Sequence, residues 1–309
     1  MEHVSLPPLC HLAICGGTHG NEMSGVYMVR EMQKQNVDRV GSVSITTVLS
    51  NPRAVDACRR YIDTDLNRCF TSELMSAPVT DSTPYELRRA HELNAQLGPK
   101  ESREGVDLLC DIHNTTSNMG LCLIFYSLDC VPLHIFKYIQ SKMTSTPVRA
   151  IQLDEPKSEA FSLESVGKHG FALEVGPQPN GVLRADIYNM VKQAIDLCIE
   201  WIQGFNSGST FEGGEVEVYT WVKNVDYPRD PTTKEITAAI HPQLQDNDFK
   251  LLRPGDPTFL TFFGETVKYE GEELYPYFVN ENAYYEKAIA FQLGKKISKT
   301  LPSISMKRD

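Results

Sequence analysis

The stretch Gly16-Gly17-Thr18-His19-Gly20-Asn21-Glu22 decides how this chain is read. It follows the apolar run Leu12-Ala13-Ile14-Cys15 and precedes a helical pattern from Met23 to Gln35, which predicts a strand, a glycine-rich turn and a helix start. Such turns often cradle phosphate. A P-loop would end in Gly-Lys-Ser/Thr and a dinucleotide site would carry three spaced glycines, and neither is present. What the turn does carry is His19 and Glu22, which tight folding at the glycines would bring toward one point. A catalytic zinc takes three protein ligands and keeps one position open, so the pair supplies two ligands; the competing reading is a polar surface turn.

A third ligand has to come from another strand end. Residues Val106 to Asn114 form an apolar strand pattern that closes on His113, and Asp111, two positions earlier, falls on the same face, where its carboxylate is placed to hold the imidazole from behind. In Phe171-Ala172-Leu173-Glu174-Val175-Gly176 only Glu174 is charged. A carboxylate inside a buried strand is costly unless paired or functional, and near a metal-bound water it is a candidate base. Between these segments, Arg53 to Arg68 reads either as a solvated loop of mixed charge or as the place where Asn67 and Arg68 grip a carboxylate.

Strand and helix patterns alternate over residues 10 to 206. Strands are expected at Val43 to Leu49, Leu121 to Tyr126 and Val148 to Leu153, and helices from Pro84 to the Gly98-Pro99 stop, from Val131 to Met143 and from Leu183 to Phe205. This predicts an α/β fold, a mostly parallel mixed sheet with helices on both faces. Ligands in such sheets bind at the carboxyl ends of the strands, where His19, Glu22, His113 and Glu174 all fall. A boundary near 206–214 separates a catalytic domain, residues 1–208, from a smaller β-rich domain, residues 209–309, whose basic tail from Lys295 is expected to be disordered.

With a formal net charge of -10 over 309 residues, nucleic acid is a poor partner, and no apolar run is long enough for a transmembrane segment. The eight cysteines contain no Cys-x-x-Cys pair and read as free thiols of a soluble, cytoplasmic protein.

His-x-x-Glu with a distant His is also the ligand pattern of the zinc carboxypeptidase superfamily. Together with Asp-Leu-Asn-Arg at 65–68, His-Asn-Thr-Thr-Ser-Asn-Met-Gly at 113–120, Glu-Val-Gly-Pro-Gln-Pro at 174–179 and Asn-Ala-Tyr-Tyr-Glu-Lys at 282–287, it resembles the aspartoacylase family over nearly the whole chain. The resemblance implies a zinc carboxypeptidase-like fold whose C-terminal domain covers the site entrance, and hydrolysis of small-molecule N-acyl amino acids. It implies one zinc per subunit on His19, Glu22 and His113, with Glu174 as base and Arg60 polarising the scissile carbonyl. Substrate would meet Asn67 and Arg68 at its α-carboxylate, with Asp65, Asn114, Thr115 and Tyr284 around it. The family also implies a homo-oligomer, dimer or tetramer, and leaves room for peripheral attachment at the apical plasma membrane. Where aspartoacylase carries an arginine for the aspartate side chain, this chain has Glu164. That is similar to the aminoacylase-3 branch, whose substrates are N-acetylated aromatic amino acids and S-conjugated N-acetylcysteines. Aspartoacylase activity, a carboxypeptidase and a non-catalytic binding protein of the same fold stand as alternatives.

Overall fold

The computed structural model describes residues 2–126, 129–156 and 158–307. Ten strands form one sheet. From one edge the order is Tyr275–Tyr277, Phe291–Leu301, Gly214–Val225, Val148–Leu153, Gly120–Tyr126, His169–Gly176, Leu108–Asn114, His11–Gly16, Val43–Leu49 and Arg39–Val40. The strands His11–Gly16, Val43–Leu49, Leu108–Asn114 and His169–Gly176 run parallel, while Gly120–Tyr126 runs antiparallel to His169–Gly176 and parallel to Val148–Leu153.

Alternation along each strand sorts the two faces. Leu12, Ile14, Cys110, Ile112, Leu173 and Val175 point into the larger core, which includes residues of the helices Met23–Lys34, Cys130–Lys142 and Ala185–Asn206. The long last helix keeps Ile187, Val191, Ala194, Ile195, Cys198, Trp201, Ile202 and Phe205 buried, at the spacing the sequence predicts. On the opposite face, Ala13, Cys15 and Leu109 pack against Ala90, Leu93 and Leu97 of the helix Tyr85–Leu97. Further along that face, Cys122 and Ile151 pack with Tyr219, Phe249, Tyr277 and Phe278. The helix covers one part of this face and the C-terminal segment another, and at the strand ends between them a cavity lies open.

Residues beyond 209 are β-rich, as expected, and part of them joins the main sheet. Gly214–Val225 pairs in parallel with Val148–Leu153 and antiparallel with Phe291–Leu301, continuing the main sheet, and a three-stranded sheet of Ala238–Ile240, Pro257–Thr261 and Thr266–Lys268 stands beside it. The tail expected to be disordered is ordered through Ser303–Met306, which pairs with His3–Leu6 and so joins both ends of the chain. Its lysines misled because Phe291–Leu301 exposes much of its outer half to water; positions 308 and 309 lie outside the described residues. All eight cysteines are free thiols, five of them buried. Among the described residues no helix is long and apolar enough to cross a membrane.

Candidate active site

The glycine turn is fixed by crowding. Gly17 sits at φ +70, and a Cβ on Gly20 would lie 2.0 Å from the backbone of Ala54, so the turn presses directly on the next loop. The Gly20 N–H donates to the Arg60 carbonyl at 3.2 Å, tying the two loops together. His19 and Glu22, 4% exposed each, then meet His113 at the end of its strand, 2% exposed.

The histidine tautomers follow from their outer partners. His113 Nε2 faces Asp111 Oδ2 at 2.8 Å, and His19 Nε2 faces Asp65 Oδ1 at 3.0 Å. Each ring has a carboxylate on both sides, Glu22 facing both Nδ1 atoms; with a cation in the inner space, the outer carboxylates hold the proton on Nε2 and each Nδ1 turns a lone pair inward. The two Nδ1 atoms are 3.2 Å apart, with Glu22 oxygens at 2.6 Å from His19 and 3.0 Å from His113. Lone pairs and a carboxylate converging in a buried space repel one another unless a cation or proton lies among them. The donor set therefore fits a divalent metal, and the ligand atoms all lie within 4.8 Å of one another.

Left without a cation, the cluster draws a proton instead. Burial alone would lower the His113 pKa, but Asp111 and Glu22 outweigh it and hold it well above the usual imidazole value. Burial would raise Glu22, but His19 and His113 outweigh it and hold it far below the usual carboxylate range. Glu174, in register with His113 on the neighbouring strand, shifts the other way: burial first, then the Glu22 charge, raise it. Its Oε1 is buried without a partner.

Around the cluster a cavity of about 150 Å³ is lined by Arg60, Asn67, Arg68, Asn114, Thr115, Glu164 and Tyr284 among the expected residues. Arg60 lies between Glu22 Oε1 at 3.3 Å and Asp65 Oδ2 at 3.2 Å. Arg68 extends over the Phe161 ring, 4.4 Å from its centroid. Tyr284 packs edge-on against Phe278 at 5.1 Å. Two residues of the cavity wall already have protein partners. Asn114 accepts from Ser24 N–H at 3.0 Å and donates its own N–H to Glu22, and the Thr115 hydroxyl donates to Glu281.

Asp65, expected on the substrate side, does not line the cavity. Its two oxygens serve His19 and Arg60, and it accepts from Asn67 N–H at 3.0 Å at the head of the short helix Leu66–Arg68. Asp111 does stand behind His113, and both its oxygens also accept from the Thr18 hydroxyl, at 2.8 and 2.9 Å.

Two carboxylates escaped the sequence reading. Glu86 is fully buried and accepts from the N–H groups of Ile62, Asp63 and Thr64 at 2.6, 2.9 and 3.1 Å, shaping the loop that delivers Arg60 and Asp65. Glu281 lines the cavity and accepts from Thr116 N–H at 2.8 Å and Ala283 N–H at 3.0 Å, pinning the Tyr284 segment to the loop after His113. Nothing local marks Glu86, whose amide partners lie in a distant loop; Glu281 caps the short helix Asn282–Lys287 through Ala283, but its contacts with Thr115 and Thr116 lie more than 160 residues away.

A cation-seeking cluster at the carboxyl ends of parallel strands, flanked by an unpartnered acid and set in a cavity, defines a hydrolytic enzyme. Comparison with known proteins supplies the family. The chain belongs to the succinylglutamate desuccinylase/aspartoacylase family, whose catalytic domain matches residues 8–202 and whose barrel-sandwich hybrid domain matches residues 214–296. It is 61% identical over 314 residues to the zebrafish (Danio rerio) N-acyl-aromatic-L-amino acid amidohydrolase (carboxylate-forming) B, with 100% of both chains covered. It is 42% identical to mouse (Mus musculus) aspartoacylase, covering 97% of each chain. The crystal structure of murine aminoacylase 3 superimposes with a TM-score of 0.94 at 43% identity, over 97% of this chain and 99% of that one.

Proposed function

We propose that this chain is a zinc-dependent amidohydrolase that splits N-acyl aromatic amino acids, and S-conjugated N-acetylcysteines of similar shape, into a carboxylate and a free amino acid. The observation that carries this is the pair of inward Nδ1 atoms of His19 and His113, 3.2 Å apart beside Glu22 and next to an unpartnered Glu174. His19, Glu22 and His113 would hold the zinc, which when bound lowers the pKa of a water toward ~7 and polarises a carbonyl.

The remaining steps belong to the chain's own residues. Glu174, raised by burial, is suited to take a proton from the attacking water and return it to the leaving nitrogen. Arg60, held by Glu22 and Asp65, offers its guanidinium to the carbonyl oxygen as negative charge develops. Arg68 and Asn67 receive the α-carboxylate, and Tyr284 and Phe278 close the cavity against water. The fixed cations among the described lining residues are Arg60 and Arg68, and Arg60 is already paired with carboxylates. Arg68, which donates to the Asn67 carbonyl, makes no ion pair with a carboxylate among the described residues, and so offers one guanidinium to one substrate carboxylate. The rest of the wall includes Ile124, Ile151, Leu153, Phe161 and Tyr126, which suits an apolar side chain.

The competing reading is an aspartoacylase, favoured by the 42% identity to the mouse enzyme. Incubation with N-acetyltyrosine and N-acetylaspartate, with and without chelator, separates the two. The proposal expects chelator-sensitive release of tyrosine far faster than of aspartate; faster aspartate release would transfer the assignment to the competitor.

A further inference from the structure

The turn Leu163–Val166 brings Glu164 into the cavity wall at 2% exposure. The hydrogen bonds around it have a direction. Ser162 Oγ lies 2.5 Å from Glu164 Oε1 and 2.8 Å from the Tyr126 hydroxyl, yet it has one proton to give. Ser162 stands as the donor to both and can serve only one at a time, so Glu164 shares that proton with Tyr126. The Phe161 N–H occupies the Tyr126 oxygen from the other side, at 3.4 Å. From this wall the Glu164 carboxyl receives at most that one shared proton, on Oε1. Its second oxygen, Oε2, is buried with no partner at all. A buried acceptor left unpaired is costly, and more so when charged, so the site is short of one donor. Burial, with the Asp111 charge adding to it, raises the Glu164 pKa to about 7 against the Ser162 hydrogen bond.

The neighbours indicate where that donor would come from. The Arg68 guanidinium stacks on Phe161, and Phe161 meets Tyr126 edge-on at 5.9 Å, so an aromatic strip leads from the carboxylate anchor toward Glu164. We propose that Glu164 is a specificity residue that accepts a hydrogen bond from the far end of the substrate side chain, so that N-acyl amino acids with a phenolic O–H or ring N–H are chosen over those ending in carbon. This rests on the amidohydrolase reading above and names the substrate class within it.

The test is kcat/KM for N-acetyltyrosine, N-acetyl-O-methyltyrosine and N-acetylphenylalanine with the zinc-loaded enzyme. Tyrosine should lead both of the others by about tenfold or more, the worth of one satisfied buried acceptor. Glu164→Gln, which keeps a carbonyl acceptor, should retain part of that ratio, whereas Glu164→Leu should level the three. Equal values for the three substrates in the unmodified enzyme would overturn the role of Glu164 while leaving the amidohydrolase reading intact. Failure to hydrolyse any of them would overturn both. Because the decisive ratio is read on the unmodified enzyme, misfolding of a variant does not obscure it.

Discussion

His113 and Glu174 stand in register on adjacent parallel strands, so both side chains leave the same face of the sheet at the same level. The ladder itself sets the distance between a candidate metal ligand and the candidate base, with no loop intervening. Glu174→Gln should accordingly fold and bind metal as the unmodified protein does, while kcat falls by a factor of roughly 10² or more. Metal analysis beside steady-state kinetics checks this; a variant that loses its metal would make Glu174 a structural residue instead.

Asp111 is predicted to act through His113. With Thr18 fixing both of its oxygens and His113 Nε2 at 2.8 Å, it holds the ring so that Nδ1 faces Glu22. Asp111→Ala should weaken zinc binding by about 10- to 100-fold, the usual worth of such an outer carboxylate. Competition with a chromophoric chelator measures it, and an unchanged dissociation constant would remove Asp111 from the site.

The approach to this centre was legible in the sequence because it is local. The glycine turn, the strand ending at His113 and the lone acid in an apolar strand each declare themselves within a few residues. Asp65, Glu86 and Glu281 were misplaced or missed because the contacts that decide their roles, with His19, with the 62–64 amides and with Thr115 and Thr116, lie far off in sequence: Glu86 looks like an ordinary first-turn acid of its helix, yet it is fully buried under loop amides 22 to 24 residues away. The strand Phe291–Leu301 was hidden for a related reason, since its lysine-rich middle is held by pairing with Gly214–Val225, while its buried apolar residues Phe291, Leu293 and Leu301 lie toward its ends.

Side-chain preference provides a third prediction. A substrate with a second carboxylate would meet Glu164 and find Arg60 already paired, so N-acetyltyrosine should exceed N-acetylaspartate by at least about a hundredfold in kcat/KM. Glu164→Arg should narrow the gap from both sides. Comparable rates on the two substrates in the native enzyme would mean that Glu164 does not face the side chain.

Asp248 gives a prediction about stability. Its Oδ1 accepts from Val279 N–H at 3.0 Å, its Oδ2 is buried without a partner, and burial raises its pKa from 3.8 to about 7. Because the folded-state value is the higher one, the folded protein binds this proton more tightly than the unfolded chain. Its contribution is therefore most favourable below the unfolded value of 3.8, is lost as pH rises toward about 7, and is flat above that. Asp248→Asn should match the native Tm near the acid end of this window and exceed it by on the order of several degrees once the pH is above the folded value. Melting curves across the window decide it, and parallel Tm profiles for the two proteins would contradict the assignment.

The central claim is that two inward histidine nitrogens and Glu22 form a zinc site on which amide hydrolysis depends. Titrating zinc into chelator-stripped protein, while following both bound metal and N-acetyltyrosine hydrolysis, tests it most directly. Activity should rise from near zero in proportion to bound zinc and level off at about one ion per chain, with His113→Ala taking up neither metal nor activity. Full turnover in protein shown to be free of metal would contradict it.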